Sequence, residues 1–402
     1  MSGKSRLDFP PPLLFLHIRK TAGSSVRQAL TNRFAVEHTL LDWHYQDRRR
    51  QRPDGLRFVT GHCSFADVAR FTVPPLVLVF LRPAVERALS AYHFYRDIPA
   101  HLMQSFRDTL PAEFVAQRER FQVRARALGI ERFLRDEEPL ARQWLWNVQT
   151  RVLTGGTEAE PSPTLDEGAL IDTAIANLAA CGLIGLTDRL SESLQLIEHS
   201  FGWPSLGYEP FANRTEGRPQ KEELPQAAIK ILNDWNRLDE QLYTAAARRF
   251  DESLMGLKQE LTGGPGVTIA RQDARVFRFD QPILGRGWHP REKYNGEWIC
   301  WTGIERTATL SLQLSTAGPH RLECRVAHVL DPEILQDVRV GINGFALVPR
   351  IDVRKGVVWL TADVPSELVR RSRGVVELEL SVQRLMRPSE LAPGCGDNRL
   401  LG

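Results

Sequence analysis

The sequence predicts an α/β domain followed by an all-β sandwich, and three observations carry the prediction. Up to about residue 260, short continuous apolar runs alternate with segments of helical periodicity, as in a parallel sheet covered by helices on both faces. Glycine and proline then cluster in LTGGPGVT, residues 261–268, which suits a linker. Beyond it, five segments alternate apolar and polar residues with period two, as strands buried on one face do. A chain of 402 residues exceeds what one hydrophobic core commonly supports, so two domains are expected, over residues 1–262 and 268–402.

Each element follows from its local pattern. LLFLH, residues 13–17, is apolar throughout and predicts a buried strand, with a helix over 24–31. Residues 57–60 predict a second strand, and PLVLVFLR, residues 75–82, a third and more apolar one. Helical spacing resumes over 85–96, through 147–153, and again over 170–180. CGLIG then predicts a short strand before an amphipathic helix with Leu190, Leu194, Leu196 and Ile197 on one side. In the last third, ATLSLQLS, HRLECRVAHV, QDVRVGIN, VVWLTADV and VVELELSV are the alternating segments, separated by turn residues, and they predict a jelly-roll-like sandwich. No solenoid-type repeat is present.

Composition narrows the class. With 42% hydrophobic and 25% charged residues the chain is neither disordered nor membrane-like. A net charge of +3 does not argue for nucleic acid, and the run Arg48, Arg49, Arg50, Arg52 is too short to change that. The five cysteines, Cys63, Cys181, Cys300, Cys324 and Cys395, have no metal-ligand spacing. They suggest a reducing compartment and no metal requirement. The apolar segment near the N-terminus is only about six residues long before charges begin, short of a signal segment or a membrane span, so a cytoplasmic location is expected.

The chemistry starts where the first strand breaks into a turn, LLFLHIRKTAGSS, residues 13–25. A strand running through small residues into a helix presents unpaired backbone N–H groups to an anion. In the nucleotide loop GxxxxGK[ST] the lysine follows the glycines. Here Lys20 precedes Gly23, and the strand over 76–81 ends on Arg82 rather than a carboxylate. A magnesium nucleotide would lack its metal ligands, so a metal-free anion fits better, on a P-loop-like parallel sheet flanked by helices. Ser90 follows Arg82 by eight residues, about two helical turns, and both side chains can take an anion. Anion sites at Lys20, Thr21, Ala22, Gly23, Ser24 and Ser25 and at Arg82 and Ser90 describe a ligand charged at both ends of a nucleoside, the shape of 3′-phosphoadenosine 5′-phosphosulfate (PAPS). For a base, His62 is favoured, because it follows the second strand and therefore reaches the same sheet edge. Asp42, His44 and His93 compete for that role, while His17 suits a supporting one.

These segments resemble the carbohydrate sulfotransferases that include the heparan sulfate 2-O- and 6-O-sulfotransferases. HIRKTAGSS is similar to their HxPKTAGTS-type 5′-phosphosulfate loop, and LRPAVERALSAYHF to their RDPxxRxxSxYxF-type 3′-phosphate segment. NVQTRVLTG and GLTDRLSESLQLIEHSFGW resemble later segments, so the similarity covers about residues 12–255. The resemblance implies PAPS as co-substrate and Lys20 as the cation at the leaving phosphate. GHCSFADVARF resembles a GHVSYLDF-type segment, which implies that His62 is the catalytic base; Thr60 stands where that segment carries another histidine. Arg19 replaces the usual proline, and Pro83-Ala84 replaces Asp-Pro. The polar stretch over 209–225, with Arg214 and Arg218, resembles a late basic loop that covers the donor's 3′-phosphate, and a plain surface loop is the other reading.

In the second domain, GRGWHPREKYNGEWICWTG, residues 285–303, combines Trp288, Trp298 and Trp301 with His289, Arg291 and Glu292. Such rings either bind sugars or pack a core. With the ending LMRPSELAPGCGDNRLLG the stretch resembles β-sandwich modules of bacterial glycan-modifying enzymes. The expected activity is sulfuryl transfer from PAPS to a hydroxyl of a carbohydrate or glycoconjugate. The alternatives are a P-loop kinase-like phosphotransferase and a non-catalytic glycan-binding protein.

Overall fold

Strands without polar alternation must be covered on both faces. The computed structural model describes residues 11–43, 52–156, 166–205, 223–261, 276–392 and 395–402, and it places four such runs in one sheet. The chain divides into two compact units. The first takes the described residues of 1–24, 40–194 and 211–262, and the second those of 25–39, 195–210 and 263–402.

In the first unit β1 (Leu13–Leu16), β2 (Thr39–Leu40), β3 (Phe58–Gly61), β4 (Leu76–Leu81) and β5 (Leu183–Leu186) form a five-stranded sheet of order β2-β3-β1-β4-β5. β1 pairs parallel with both β3 and β4, and β4 pairs parallel with β5. Every residue of β1, β3 and β5 is buried, and in β3 this includes the polar Thr60. The register sets Leu16 opposite Gly61 and opposite Val79. β1 and β3 therefore finish level, while β4 runs two residues further. From β1 the chain goes to β3 on one side and later to β4 on the other, and in open α/β sheets such a reversal is where ligands bind, at the carboxyl ends of the strands.

The helices, in chain order, are α1 (Gly23–Thr31), α2 (Ala84–Arg96), α3 (Ala100–Thr109), α4 (Ala112–Asp136), α5 (Glu138–Leu145), α6 (Val148–Leu153), α7 (Glu167–Ala180), α8 (Leu190–Phe201), α9 (Gln226–Trp235) and α10 (Arg237–Leu261); α2–α7, α9 and α10 belong to the first unit and flank its sheet, while most of α1 and of α8 falls in the second unit. Tyr92, Tyr95, Phe121, Phe133, Trp144 and Leu232 centre one apolar cluster among α2, α4, α5 and α9. Among the described residues, no helix is long and apolar enough to cross a membrane.

The C-terminal part of the second unit is antiparallel. Its strands are β6 (Glu292–Tyr294), β7 (Glu297–Ile299), β8 (Thr307–Gln313), β9 (His320–Val326), β10 (Arg339–Ile342), β11 (Phe345–Leu347), β12 (Arg350–Arg354), β13 (Val357–Val364) and β14 (Val375–Ser381). They form sheets of order β11-β10-β14-β8 and β12-β13-β9, with β6 and β7 as a separate pair. Leu310, Ile342 and Leu378 of one sheet meet Leu360 of the other in a single apolar cluster with Ile283 and Trp288, so the alternating strands turn their apolar faces to a common core. Residues 32–36 are laced into the same unit: Ile283 N donates to Asn32 O at 2.6 Å, and Val36 N to Asp280 O at 2.9 Å. The segment 262–275, which holds most of the expected linker, lies outside the described residues.

Candidate active site

The level ends of β1 and β3 bring His17 and His62 side by side, with ring centroids 4.6 Å apart. His17 follows β1 directly and stacks on Phe15 at 5.7 Å. Its ring also lies against the start of α1, where a Cβ on Gly23 would fall 1.8 Å from His17 Cδ2. Glycine is required there by close approach. Between them, Thr21 is wholly buried and its Oγ1 donates to Ile18 O at 2.9 Å. Lys20 and Ala22, on either side of Thr21, have left-handed φ values of 69° and 61°. Such conformations are uncommon for side-chain-bearing residues, and they occur in the curled backbone segments that turn N–H groups toward anions. Ser24 is exposed and Ser25, the third residue of α1, is buried.

His62 is held on both sides. A Cβ on the preceding Gly61 would lie 2.4 Å from Trp43 O, so only glycine lets that strand pass. Two residues on, Ser64 N and Ser64 Oγ donate to Asp67 Oδ2 at 2.9 and 3.3 Å in a capping box. His62 Nδ1 lies 2.8 Å from His17 O. A carbonyl only accepts, so Nδ1 carries the proton and Nε2 keeps its lone pair. Arg19 Nε donates to that Nε2 at 3.3 Å, and Arg19 Nη1 donates to Tyr95 Oη, also at 3.3 Å.

Lys20 Nζ sits 4.4 Å from the centroid of the Phe94 ring, and its carbonyl accepts from Arg82 Nη1 at 3.4 Å. Arg82 also faces Glu86 Oε2 at 3.7 Å; burial pulls its pKa down from the ordinary value. The Arg82 backbone is clamped by one side chain, since its N–H donates to Gln149 Oε1 at 2.8 Å and Gln149 Nε2 donates to Arg82 O at 2.9 Å. Gln149 is fixed in turn: Asp239 accepts from Gln149 N at 3.2 Å, from Thr150 N at 2.7 Å and from Thr150 Oγ1 at 2.8 Å. Asn147 and Asn236 complete this buried network, with Asn147 N donating to Asn236 Oδ1 and Asp239 N to Asn147 Oδ1.

The structure thus joins Lys20, Arg82 and His62, with Thr21, Ala22 and Gly23, at one sheet edge. Ser90 is buried in α2 and makes no hydrogen bond to Arg82 among the described residues. His93 is buried against Tyr92 at 5.3 Å, and Asp42 holds a left-handed φ of 57°. Arg214, Arg218 and His44 lie outside the described residues. Among the described residues, no group of His, Cys, Asp or Glu is arranged to hold a metal. Sequence reasoning missed Gln149, Asp239 and the bond from Arg19 to His62. The available signals were buried-looking polar residues inside NVQTRVLTG and an arginine where the resembled motif has proline.

The sequence matches no protein family profile and no curated protein. What the site can do is therefore a matter of its own chemistry. Two cationic side chains and a left-handed turn suit a polyanion, and a neutral imidazole with an acceptor nitrogen suits proton removal.

Proposed function

We propose that the chain is a sulfotransferase that moves the sulfuryl group of PAPS to a hydroxyl of a carbohydrate or glycoconjugate, on a P-loop-like sheet. One observation carries this reading. The Lys20 turn, Arg82 and an imidazole whose Nε2 is an acceptor meet at a single sheet edge, through Arg82 Nη1 to Lys20 O at 3.4 Å and His62 Nδ1 to His17 O at 2.8 Å.

In the reaction the acceptor O–H gives its proton to His62 Nε2 as its oxygen attacks sulfur in line. The new O–S bond forms while the bond from sulfur to the 5′-phosphate oxygen breaks, and that oxygen keeps the electron pair. Lys20 Nζ and the amides of residues 21–25 neutralise the departing phosphate. Arg82 and Ser90 take the 3′-phosphate. The products are a sulfate ester, 3′-phosphoadenosine 5′-phosphate (PAP) and a proton that His62 returns to water. All five cysteines are free thiols, in keeping with the reducing cytoplasm in which we place the reaction.

Calorimetric titration with PAP and with adenosine 5′-monophosphate tests the donor assignment. Arg82→Ala should lose about tenfold or more in PAP affinity and little in monophosphate affinity. Equal losses for the two nucleotides, or a wild-type chain that does not bind PAP, would overturn the assignment. Transfer from labelled PAPS to a glycan panel should withstand chelation of divalent cations, whereas a magnesium-dependent transfer from ATP would favour a phosphotransferase.

A further inference from the structure

Arg19 stands one residue before Lys20, where the resembled loop carries proline, and it makes the bond that matters most to the proposed base. Its Nε donates to His62 Nε2 and its Nη1 to Tyr95 Oη, each at 3.3 Å. While that bond lasts, the Nε2 lone pair is engaged and cannot receive an acceptor proton. Both distances exceed the usual range for N–H donors, and both acceptors are uncharged side-chain atoms. A phosphate or sulfonate oxygen offers the same guanidinium a charge-assisted, bidentate bond, roughly twice as strong. Tyr95 is a fixed post: it is buried, and its ring lies 4.7 Å from Trp144 and 5.4 Å from Phe121. It stands on α2, which also carries Ser90. Arg19 therefore bridges the helix of the 3′-phosphate residues and the histidine at the end of β3, from within the turn that faces the 5′ end.

We propose that Arg19 is a positioning residue that couples the donor anion to the base: it holds His62 Nε2 by the bond seen here, and an anion seated at the Lys20 turn draws the guanidinium away and frees that nitrogen. This rests on the transferase reading. It makes the order of events a property of the site, because the acceptor hydroxyl meets a competent base only after the donor has bound. No bond to substrate is broken in this step; one hydrogen bond from Arg19 is exchanged for another.

The test is ¹⁵N NMR of histidine-labelled protein, with the His62 signals assigned by difference against His62→Gln, alongside calorimetry with PAP. In the wild type, PAP should bind and shift the His62 Nε2 resonance, while Nδ1 stays protonated through its bond to His17 O. In Arg19→Ala the Nε2 resonance should already differ before any addition and should not follow PAP, although PAP still binds, with about tenfold weaker affinity. Arg19→Gln keeps an N–H donor but has no charge, and should retain the bond and lose the response. If PAP binds the wild type and Nε2 does not move, or if Arg19→Ala responds as the wild type does, the coupling is wrong and the donor reading stands. If PAP fails to bind the wild type, the donor reading falls and the coupling falls with it.

Discussion

An arginine and a histidine sit together in each unit, and their bonds differ in kind. In the first unit, Arg19 reaches two side-chain acceptors at 3.3 Å. In the second, Arg291 donates from Nη2 to Asn32 O at 2.9 Å and from Nη1 to Asp280 O at 3.1 Å, and the neighbouring His289 has Nε2 2.7 Å from Leu400 O. Trp288 follows suit, its Nε1 donating to Thr309 O at 2.6 Å inside the core cluster, whereas Trp301 Nε1 donates to the Glu292 carboxylate. Backbone carbonyls cannot turn away to find another donor, so Arg291 and His289 act as anchors. The His62 and Tyr95 atoms that Arg19 reaches are side-chain atoms beside a left-handed turn. The same residue types thus bond to fixed backbone carbonyls in one unit and to side chains in the other.

The largest effect expected from this contrast falls on activity. Lys20→Ala should lower the turnover of labelled PAPS about 10²–10³-fold, the range for losing one stabiliser of developing negative charge, with an unchanged urea midpoint. A fall in stability of comparable weight would show that Lys20 belongs to the frame. In the second unit the order should reverse. Arg291→Met removes the guanidinium bonds to Asn32 O and Asp280 O, each of which keeps one backbone donor, so urea unfolding should report a loss of about 1–2 kcal/mol, while PAP affinity measured on the folded variant stays within twofold. A PAP defect without a stability defect would erase the distinction.

The smallest effect concerns pH. Burial lowers the pKa of His289 from its ordinary 6.5, with Arg399 acting in the same direction and the Leu400 carbonyl, Asp397 and Glu292 opposing. The unfolded chain then takes up this proton at a higher pH than the native one. The stability this group contributes is complete above about pH 6.5 and declines as pH falls toward its native value, by no more than about 1.4 kcal/mol per pH unit. Urea midpoints across pH 7.5 to 5.5 should show a decline that His289→Gln reduces; a midpoint rising on acidification would mean that another group dominates.

Much of the framework was legible in the residues. β1, β3, β4 and β5 lie within a residue or two of the apolar runs that announced them, because a strand buried on both faces has no freedom to alternate. β8, β9, β10, β13 and β14 correspond to the period-two segments. The short strands β2, β6, β7, β11 and β12 were not foreseen; two to five residues are too few to establish a period, and β12, Arg350–Arg354, is largely exposed. The tryptophans of residues 285–303 supported either a sugar platform or a core, and packing decided for Trp288 and Trp301, both under 10% exposed.

For this protein the sequence by itself determined where a small-residue turn after a strand, a cationic strand end and a histidine occur, because each is a local pattern of strand, turn and residue type. Tertiary structure alone decided their relations. Arg19 meets His62 across 43 residues, Arg82 meets Gln149 across 67, and Asp239 meets Thr150 across 89. Those bonds exist because parallel strands end level and helices close over them. No local preference encodes a distance of that kind, and it is another such bond, from His62 Nδ1 to His17 O across 45 residues, that sets which nitrogen carries the proton, while Arg19 covers the other.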